Sequence, residues 1–327
     1  MEGVNKGTAP DEYAGGPCPP LRNIRMICTQ CPLQCKALRS ETEGRGRCGS
    51  PYSPRLARAG AHFGEEPPIS GSRGSGTLFF TGCPLSCVYC QNHEISGLKI
   101  PGKRVDEDAL SRIIDRLLEQ GVHNISFVSA SHFTEPIADY LTKHPLPVPV
   151  VWNSSGYESL ESLKRLEGLV QVYLPDLKYA EDALGRRLSC VPDYPELALK
   201  AIREMIRQTG PWEMDSEGIL QKGVLIRHLV LPGFIENSLR VMDTLEDELP
   251  KGQFLFSLLG QYTPMHALAE AGILDAAPSL KRPLLPEEFE RVWDYLSFSS
   301  LEDGFVQDPS AAGEEAIPAF DGSGLEP

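Results

Sequence analysis

The chain has 327 residues, a formal net charge of −14, 41% apolar residues and 23% charged residues. That composition is ordinary for a soluble globular protein, and the acidic balance argues against a general nucleic-acid binder, which is more often basic. No run of about 18 apolar residues suits a membrane span, and the first residues lack the apolar stretch of a secretory signal. Cysteine is the unusual residue: there are nine, eight of them in the first 90 positions. An odd count without a secretory signal does not suit a disulfide framework. It suits a cytoplasmic chain that uses thiols for metal or redox work.

In chain order, residues 1–20 read as a flexible arm that includes Cys18. Residues 21–70 are rich in Cys, Arg, Gly and Pro and poor in periodic apolar pattern, so this leader is expected to need a metal to fold. Residues 21–60 hold eight Lys and Arg against Glu41 and Glu43, a basic surround for four cysteines. Short β-type runs follow at 77–81, 123–131, 149–153, 169–174, 223–231 and 254–259. Helical stripes alternate with them at 105–120, 135–143, 159–166, 195–208, 238–249 and 286–296, the first closed by Gly121 and the last opened by Pro286. Six strands alternating with helices imply an α/β fold with a parallel sheet. The span is short of the ~250 residues of an eight-fold barrel. A partial (βα)6 barrel over residues 71–306 is therefore expected, with an open doubly wound sheet as second choice. Residues 307–327, acidic and rich in Gly, Ala, Ser and Pro, read as a disordered tail.

The strongest motif follows the first of these strands. Cys83, Cys87 and Cys90 stand as C-x3-C-x2-C, with Tyr89 before the last thiol. Ligands bind at the carboxyl ends of strands in parallel α/β folds. Three soft ligands suit iron–sulfur or zinc, and a zinc site would need a fourth ligand, for which His93 is the nearest choice.

This segment resembles the radical SAM superfamily, whose hallmark is C-x3-C-x-aromatic-C on the loop after the first barrel strand. The resemblance implies a [4Fe–4S] cluster on Cys83, Cys87 and Cys90 with one iron left for S-adenosylmethionine (SAM). It implies reductive cleavage of SAM to methionine and a 5′-deoxyadenosyl radical that abstracts hydrogen. The sequences RGSGTLFFTGCPLSCVYCQNHEIS, NSSGY, VYLPDLKYA, IRHLVLPG and FSLLGQYTP further resemble the group of pyruvate formate-lyase activating enzymes and their glycyl-radical activating relatives. That likeness implies a low-potential electron donor of the flavodoxin or ferredoxin type and a glycyl-radical enzyme or other protein as substrate. A maturase or small-molecule enzyme is the alternative. A non-catalytic iron–sulfur or metal-binding module is the alternative of another class.

By the same resemblance, Asp176, Lys178, Asn153 and Ser154 would surround the methionine part of SAM and Arg227 would contact SAM. Gln261, with Tyr262 beside it, would lie at the adenosyl end. Activating enzymes carry Gly-Gly-Glu-Pro after the second strand; here the place reads Ser129-Ala130-Ser131-His132-Phe133-Thr134-Glu135-Pro136. The Glu-Pro is kept and the glycines are not: Ser131, His132 or Thr134 would replace the missing contact, Glu135 is a further cofactor-binding candidate, and His132 reads equally well as a satisfied loop histidine.

The leader carries Cys28-x2-Cys31-x3-Cys35-x12-Cys48, a set able to hold zinc or a second iron–sulfur cluster. Cys190 is expected to pack as a small hydrophobe.

Overall fold

The structure, a computed structural model, describes residues 23–313 and 317–326. The arm with Cys18 lies outside the described residues. Strands β1 (Ile24–Ile27) and β2 (Leu38–Ser40) form a small antiparallel sheet of their own. Next come β3 (Arg55–His62), α1 (Pro67–Ser70), β4 (Ser75–Phe80), α2 (His93–Ser96), β5 (Lys103–Arg104) and α3 (Glu107–Glu119). The alternation continues with β6 (Ile125–Val128), α4 (Thr134–Lys143), β7 (Val150–Ser154), α5 (Leu160–Leu166), β8 (Val172–Pro175), α6 (Asp182–Ser189) and α7 (Tyr194–Thr209). It ends with β9 (Glu213–Met214), β10 (Leu220–Leu229), α8 (Ile235–Glu248), β11 (Leu255–Leu259), α9 (His266–Glu270), α10 (Pro286–Phe298) and β12 (Gly304–Gln307).

The main sheet runs β12-β11-β10-β8-β7-β6-β4-β3-β5, with β9 on the side of β10. From β4 to β12 every neighbour along this order is parallel. Residues from β4 at one end and β12 at the other line one cavity, so the sheet curls into a partial barrel.

All six strands expected from the sequence are present. The crossover helices form for ordinary reasons. Asp106 accepts the Ala109 N–H at 2.9 Å and so caps α3, an interaction worth about 1 kcal/mol. Leu110, Ile113, Ile114 and Leu117 then bury one face of that helix. Below the barrel, Ile69 of α1 is fully buried against Val151, Leu174, Leu225 and Leu255, so this one-turn helix plugs the barrel floor.

Three elements depart from expectation. Strand β3 lies inside the segment read as leader, yet it pairs antiparallel with β4 along six residue pairs. Its Ala- and Gly-rich sequence has weak β character, which hid it. Strand β12 adds parallel to β11 beyond the last expected strand. The acidic tail is also corrected: its described residues are tied down. Phe320 is buried against Phe79, and Gly322 and Ser323 bond to the backbone of β3. Lys103 pairs with Glu326, and Arg58 and Arg116 donate to the Ala319 and Gly324 carbonyls of this segment. No described helix is long and apolar enough to cross a membrane.

Candidate active site

Strand β4 is buried along its whole length and ends at Phe80. The chain then turns at Gly82, whose φ is +84°. A Cβ there would lie 2.3 Å from Ser50 Oγ and 2.9 Å from the Cys48 carbonyl, so only glycine fits both the conformation and the space. The turn delivers Cys83, Cys87 and Cys90 into a cavity of about 450 Å³ at the carboxyl ends of the strands. Burial raises all three thiol pKa values, that of Cys87 to about 11 even though the Lys178 ammonium pulls it down. Thiolates in this loop therefore require a cationic occupant.

Tyr89 lines the same cavity and begins a buried chain of hydroxyls. Its OH lies 2.8 Å from Tyr179 OH, which lies 2.6 Å from Ser189 Oγ, which lies 2.9 Å from Cys87 Sγ. The aromatic residue of the motif thus fixes the loop through its hydroxyl as well as its ring. Tyr179 and Ser189 were not legible as site residues, because nothing in their spacing ties them to Cys87.

Opposite the thiols stands a charged network. Arg227 donates to Asp176 Oδ1 at 3.0 Å, to Asn153 Oδ1 at 2.7 Å and to Glu65 Oε2 at 2.8 Å. Lys178 donates to Asp176 Oδ2 at 2.6 Å, and Asn153 donates to Glu65 Oε1 at 2.9 Å. Burial would raise the Asp176 pKa, but Lys178 and Arg227 outweigh it and hold the carboxylate below its usual range. Burial dominates at Glu65 and raises its pKa in spite of Arg227. The Tyr194 hydroxyl accepts the Lys178 N–H at 3.0 Å and lies 2.8 Å from the Asp176 carbonyl, which pins this loop. Nothing in the sequence pattern marks Glu65, which enters the site where the chain leads into α1 beneath the barrel.

The structure brings together Cys83, Cys87, Tyr89, Cys90, Asn153, Ser154, Asp176, Lys178, Arg227 and Gln261 around one cavity. It does not bring Ser131, His132 or Glu135 there. A 3-10 turn at Ser131–Phe133 folds the first two inward. Ser131 donates to Glu158, whose pKa burial raises to about 7. His132 is fully buried; its Nε2 faces the Thr81 carbonyl at 2.9 Å, and burial with Arg39 nearby lowers its pKa to about 3. Glu135 turns outward to Arg165. The cavity residue at this place is Ser129, held at φ +58° where the resemblance expects glycine. A serine in the left-handed region carries a cost of about 1–2 kcal/mol, so the backbone shape persists without the glycine. Tyr262 is a core residue that donates to the Leu280 carbonyl at 2.7 Å. His93 does not line the cavity. Cys190 is exposed and left-handed at the end of α6, which corrects its reading as a packed hydrophobe.

The leader thiols form a second neighbourhood. Cys28, Cys31 and Cys48 are buried and Cys35 is exposed. Left-handed residues Gln34 and Lys36 wrap the chain, and a Cβ on Gly46 would lie 3.1 Å from Cys35 Sγ and 3.9 Å from Cys48 Sγ. Burial raises the Cys31 pKa to about 12. Arg39, only 1% exposed, donates to Cys48 Sγ at 3.1 Å and to the His132 carbonyl, linking this set to the barrel. Among the described residues, no three His, Cys, Asp or Glu side chains converge as a single-ion site.

The Radical SAM superfamily profile matches residues 77–242. The chain belongs to the radical SAM superfamily. Membership brings a [4Fe–4S] cluster and SAM. The radical SAM chain is 30% identical to an uncharacterized protein of Methanocaldococcus jannaschii, MJ0674, over 86% of its own length and 77% of that protein. Its fold is similar to Streptococcus suis SuiB bound to the precursor peptide SuiA, at a TM-score of 0.49 and 13% identity. That match covers 70% of this chain but only 47% of SuiB, about half its length. A domain of a pyruvate-formate lyase-activating enzyme from Bacteroides vulgatus is similar at a TM-score of 0.37 and 15% identity, covering 54% of this chain and 91% of the domain.

The residues present fit these groups. Three soft sulfur donors converge on one cavity, Gly82 leaves the loop its turn, and Gln261, which also lines that cavity, has a buried Oε1 without a partner.

Proposed function

We propose that this protein is a radical SAM enzyme in which Cys83, Cys87 and Cys90 hold the cluster and the Asp176, Lys178 and Arg227 network receives SAM. When bound, the cluster and SAM supply a one-electron reductive cleavage that yields methionine and a carbon-centred radical for hydrogen abstraction. The residues of the chain do the rest. Lys178 keeps a cation in the cavity for a carboxylate. Asp176 and Glu65 hold Arg227 in place, and Asn153 orients both Glu65 and Arg227 through its two ends. The buried strand ends keep water out, which strengthens each of these interactions.

The observation that carries this reading is the meeting of three thiols and the Asp176, Lys178 and Arg227 network on one cavity. Anaerobic incubation of reconstituted, reduced protein with SAM tests it. Release of 5′-deoxyadenosine and methionine is expected; a reducible cluster without either product would refute enzyme function and leave the electron-transfer module. Glycyl-radical activation is the second reading, supported by the sequence likeness quoted above. A protein-centred radical in a candidate partner, read by electron paramagnetic resonance, tests it.

Cys28, Cys31, Cys35 and Cys48 are proposed to hold zinc or a second iron–sulfur cluster, with Arg39 offsetting thiolate charge. Iron, sulfide and zinc analysis of a variant lacking Cys83, Cys87 and Cys90 separates the two. The basic leader, with Arg25, Arg45 and Arg55, is the proposed face for an acidic flavodoxin- or ferredoxin-type donor.

A further inference from the structure

The leader meets the root of the thiol loop in the barrel. Gly82, the turn between β4 and Cys83, is walled by Ser50 and the Cys48 carbonyl of the leader and by His132, whose Nε2 would lie 3.1 Å from a Cβ there. Arg39 joins the two sides. Its Nη2 donates to Cys48 Sγ at 3.1 Å and its Nη1 to the His132 carbonyl. The His132 ring in turn faces the Thr81 carbonyl at 2.9 Å, next to Gly82. Cys48, Arg39, His132 and Thr81 thus make an unbroken path from a leader sulfur to the residue before the turn. All four are buried, with Arg39 at 1% and His132 at 0% exposure. A second, exposed tie runs beside it: Arg47 donates to Ser86 Oγ of the thiol loop at 3.2 Å and to the Cys190 carbonyl at 3.0 Å.

We infer that Arg39 is a positioning residue that couples metal on the leader thiols to the loop carrying Cys83, Cys87 and Cys90, so that loss of the leader metal loosens that loop. It rests on the leader metal proposed above and names what that metal controls. A buried guanidinium is costly unless it is paired. Among the described residues Arg39 has no carboxylate partner: it donates to a neutral carbonyl and to a sulfur, and its Nε is buried without a partner. The countercharge therefore falls to the leader sulfurs, which metal binding holds as thiolates. With the metal in place, the guanidinium is fixed at Cys48 and in turn fixes the His132 carbonyl. Without it, Arg39 loses its charged partner, and the 3-10 turn at Ser131–Phe133 loses its brace against the leader. Arg47 does not replace that brace, because a hydrogen bond exposed to water is worth little net.

Hydrogen exchange reads this coupling. Full-length protein with Cys83, Cys87 and Cys90 replaced by alanine leaves the leader thiols to hold the metal, as zinc or as iron with sulfide, whichever is retained. Exchange over residues 81–90, where the Gly82, Ser86 and Val88 amides are hydrogen-bonded, is measured with the metal bound and after dialysis against a chelator. Strand β7 (Val150–Ser154) is the internal reference. Removal is expected to speed exchange about tenfold over 81–90 and to leave β7 unchanged. With Arg39→Gln added, exchange over 81–90 is expected to be fast from the start and the metal to make no difference. Arg39→Lys keeps the charge but cannot span both partners as a fork, and is expected to lose the metal effect with β7 still protected. Equal exchange with and without metal in the protein that keeps Arg39 overturns the inference while the leader's metal reading stands. So does a metal effect that survives in both Arg39 variants, the result of an Arg39 that only stabilises the fold. Fast exchange at β7 in both variants makes Arg39 a support of the whole fold and also overturns it. A protein that retains neither zinc nor iron overturns the metal reading, and the inference with it.

Discussion

Two sets of cysteines occupy this molecule, and they differ in what stands beneath them. Cys83, Cys87 and Cys90 hang from β4, a strand buried at every residue and paired on both sides. Their loop takes its shape from the sheet, from Gly82 and from the hydroxyl chain through Ser189. Cys28, Cys31, Cys35 and Cys48 hang from β1 and β2, a two-stranded sheet with Ile24 and Ile27 exposed. Such a pair is marginal without further support. Arg39 supports it on one side, and the metal proposed above would support it on the other. Burial raises the pKa of Cys28 and Cys31, as it does for the thiols of the barrel loop. The barrel loop is held by the sheet beneath it, whereas the leader, on the proposal above, would be completed by a metal.

Substitutions can break this contrast. The largest effect is expected from Cys87→Ala, which should reduce 5′-deoxyadenosine release to background while the leader keeps its metal. Persistent turnover would remove Cys87 from the cluster. Next comes Cys48→Ala, which should release the leader metal and lower the melting temperature. For a domain of this size each kcal/mol lost corresponds to about 2–4 °C. An unchanged melting temperature would show that the leader stands without metal.

The third effect concerns the barrel alone. Glu158 is buried, with Ser131 and Trp152 donating to one oxygen and the other oxygen unpartnered. Its pKa rises from 4.5 to about 7. The folded state therefore favours the protonated form, whose contribution is full below pH 4.5 and is lost as pH rises through about 7. Glu158→Gln should remove this loss, worth on the order of 3 kcal/mol at alkaline pH. Denaturant unfolding at pH 5 and pH 8 measures it; equal pH slopes in both proteins would contradict the assignment. The smallest effect belongs to Ser189→Ala. Loss of a hydrogen bond to the Cys87 sulfur should move the cluster potential downward with turnover retained, read by redox titration.

Much of the barrel was legible because hydrophobic period and Pro or Gly punctuation mark its strands and helices. The thiol loop was legible because its ligands are contiguous. So were Asp176, Lys178 and Arg227, which sit at strand ends. What stayed hidden depends on long-range placement. Glu65 enters the site only because α1 turns under the barrel. Ser129 replaces a glycine by keeping its backbone angle, which composition does not record. The segment 317–326 looks disordered by composition, yet Phe320, backbone bonds to β3 and the close-packed Gly324 anchor it. Ser131, His132 and Glu135 were misplaced because a 3-10 turn redirects the chain after Ser129.

The central claim meets its most direct test in one anaerobic measurement: 5′-deoxyadenosine and methionine released by the reduced holoenzyme from SAM, quantified together by chromatography. The account predicts equal amounts of the two products, dependent on reductant and absent in Cys87→Ala. Intact SAM beside a cluster that electron paramagnetic resonance shows to be reduced would contradict it.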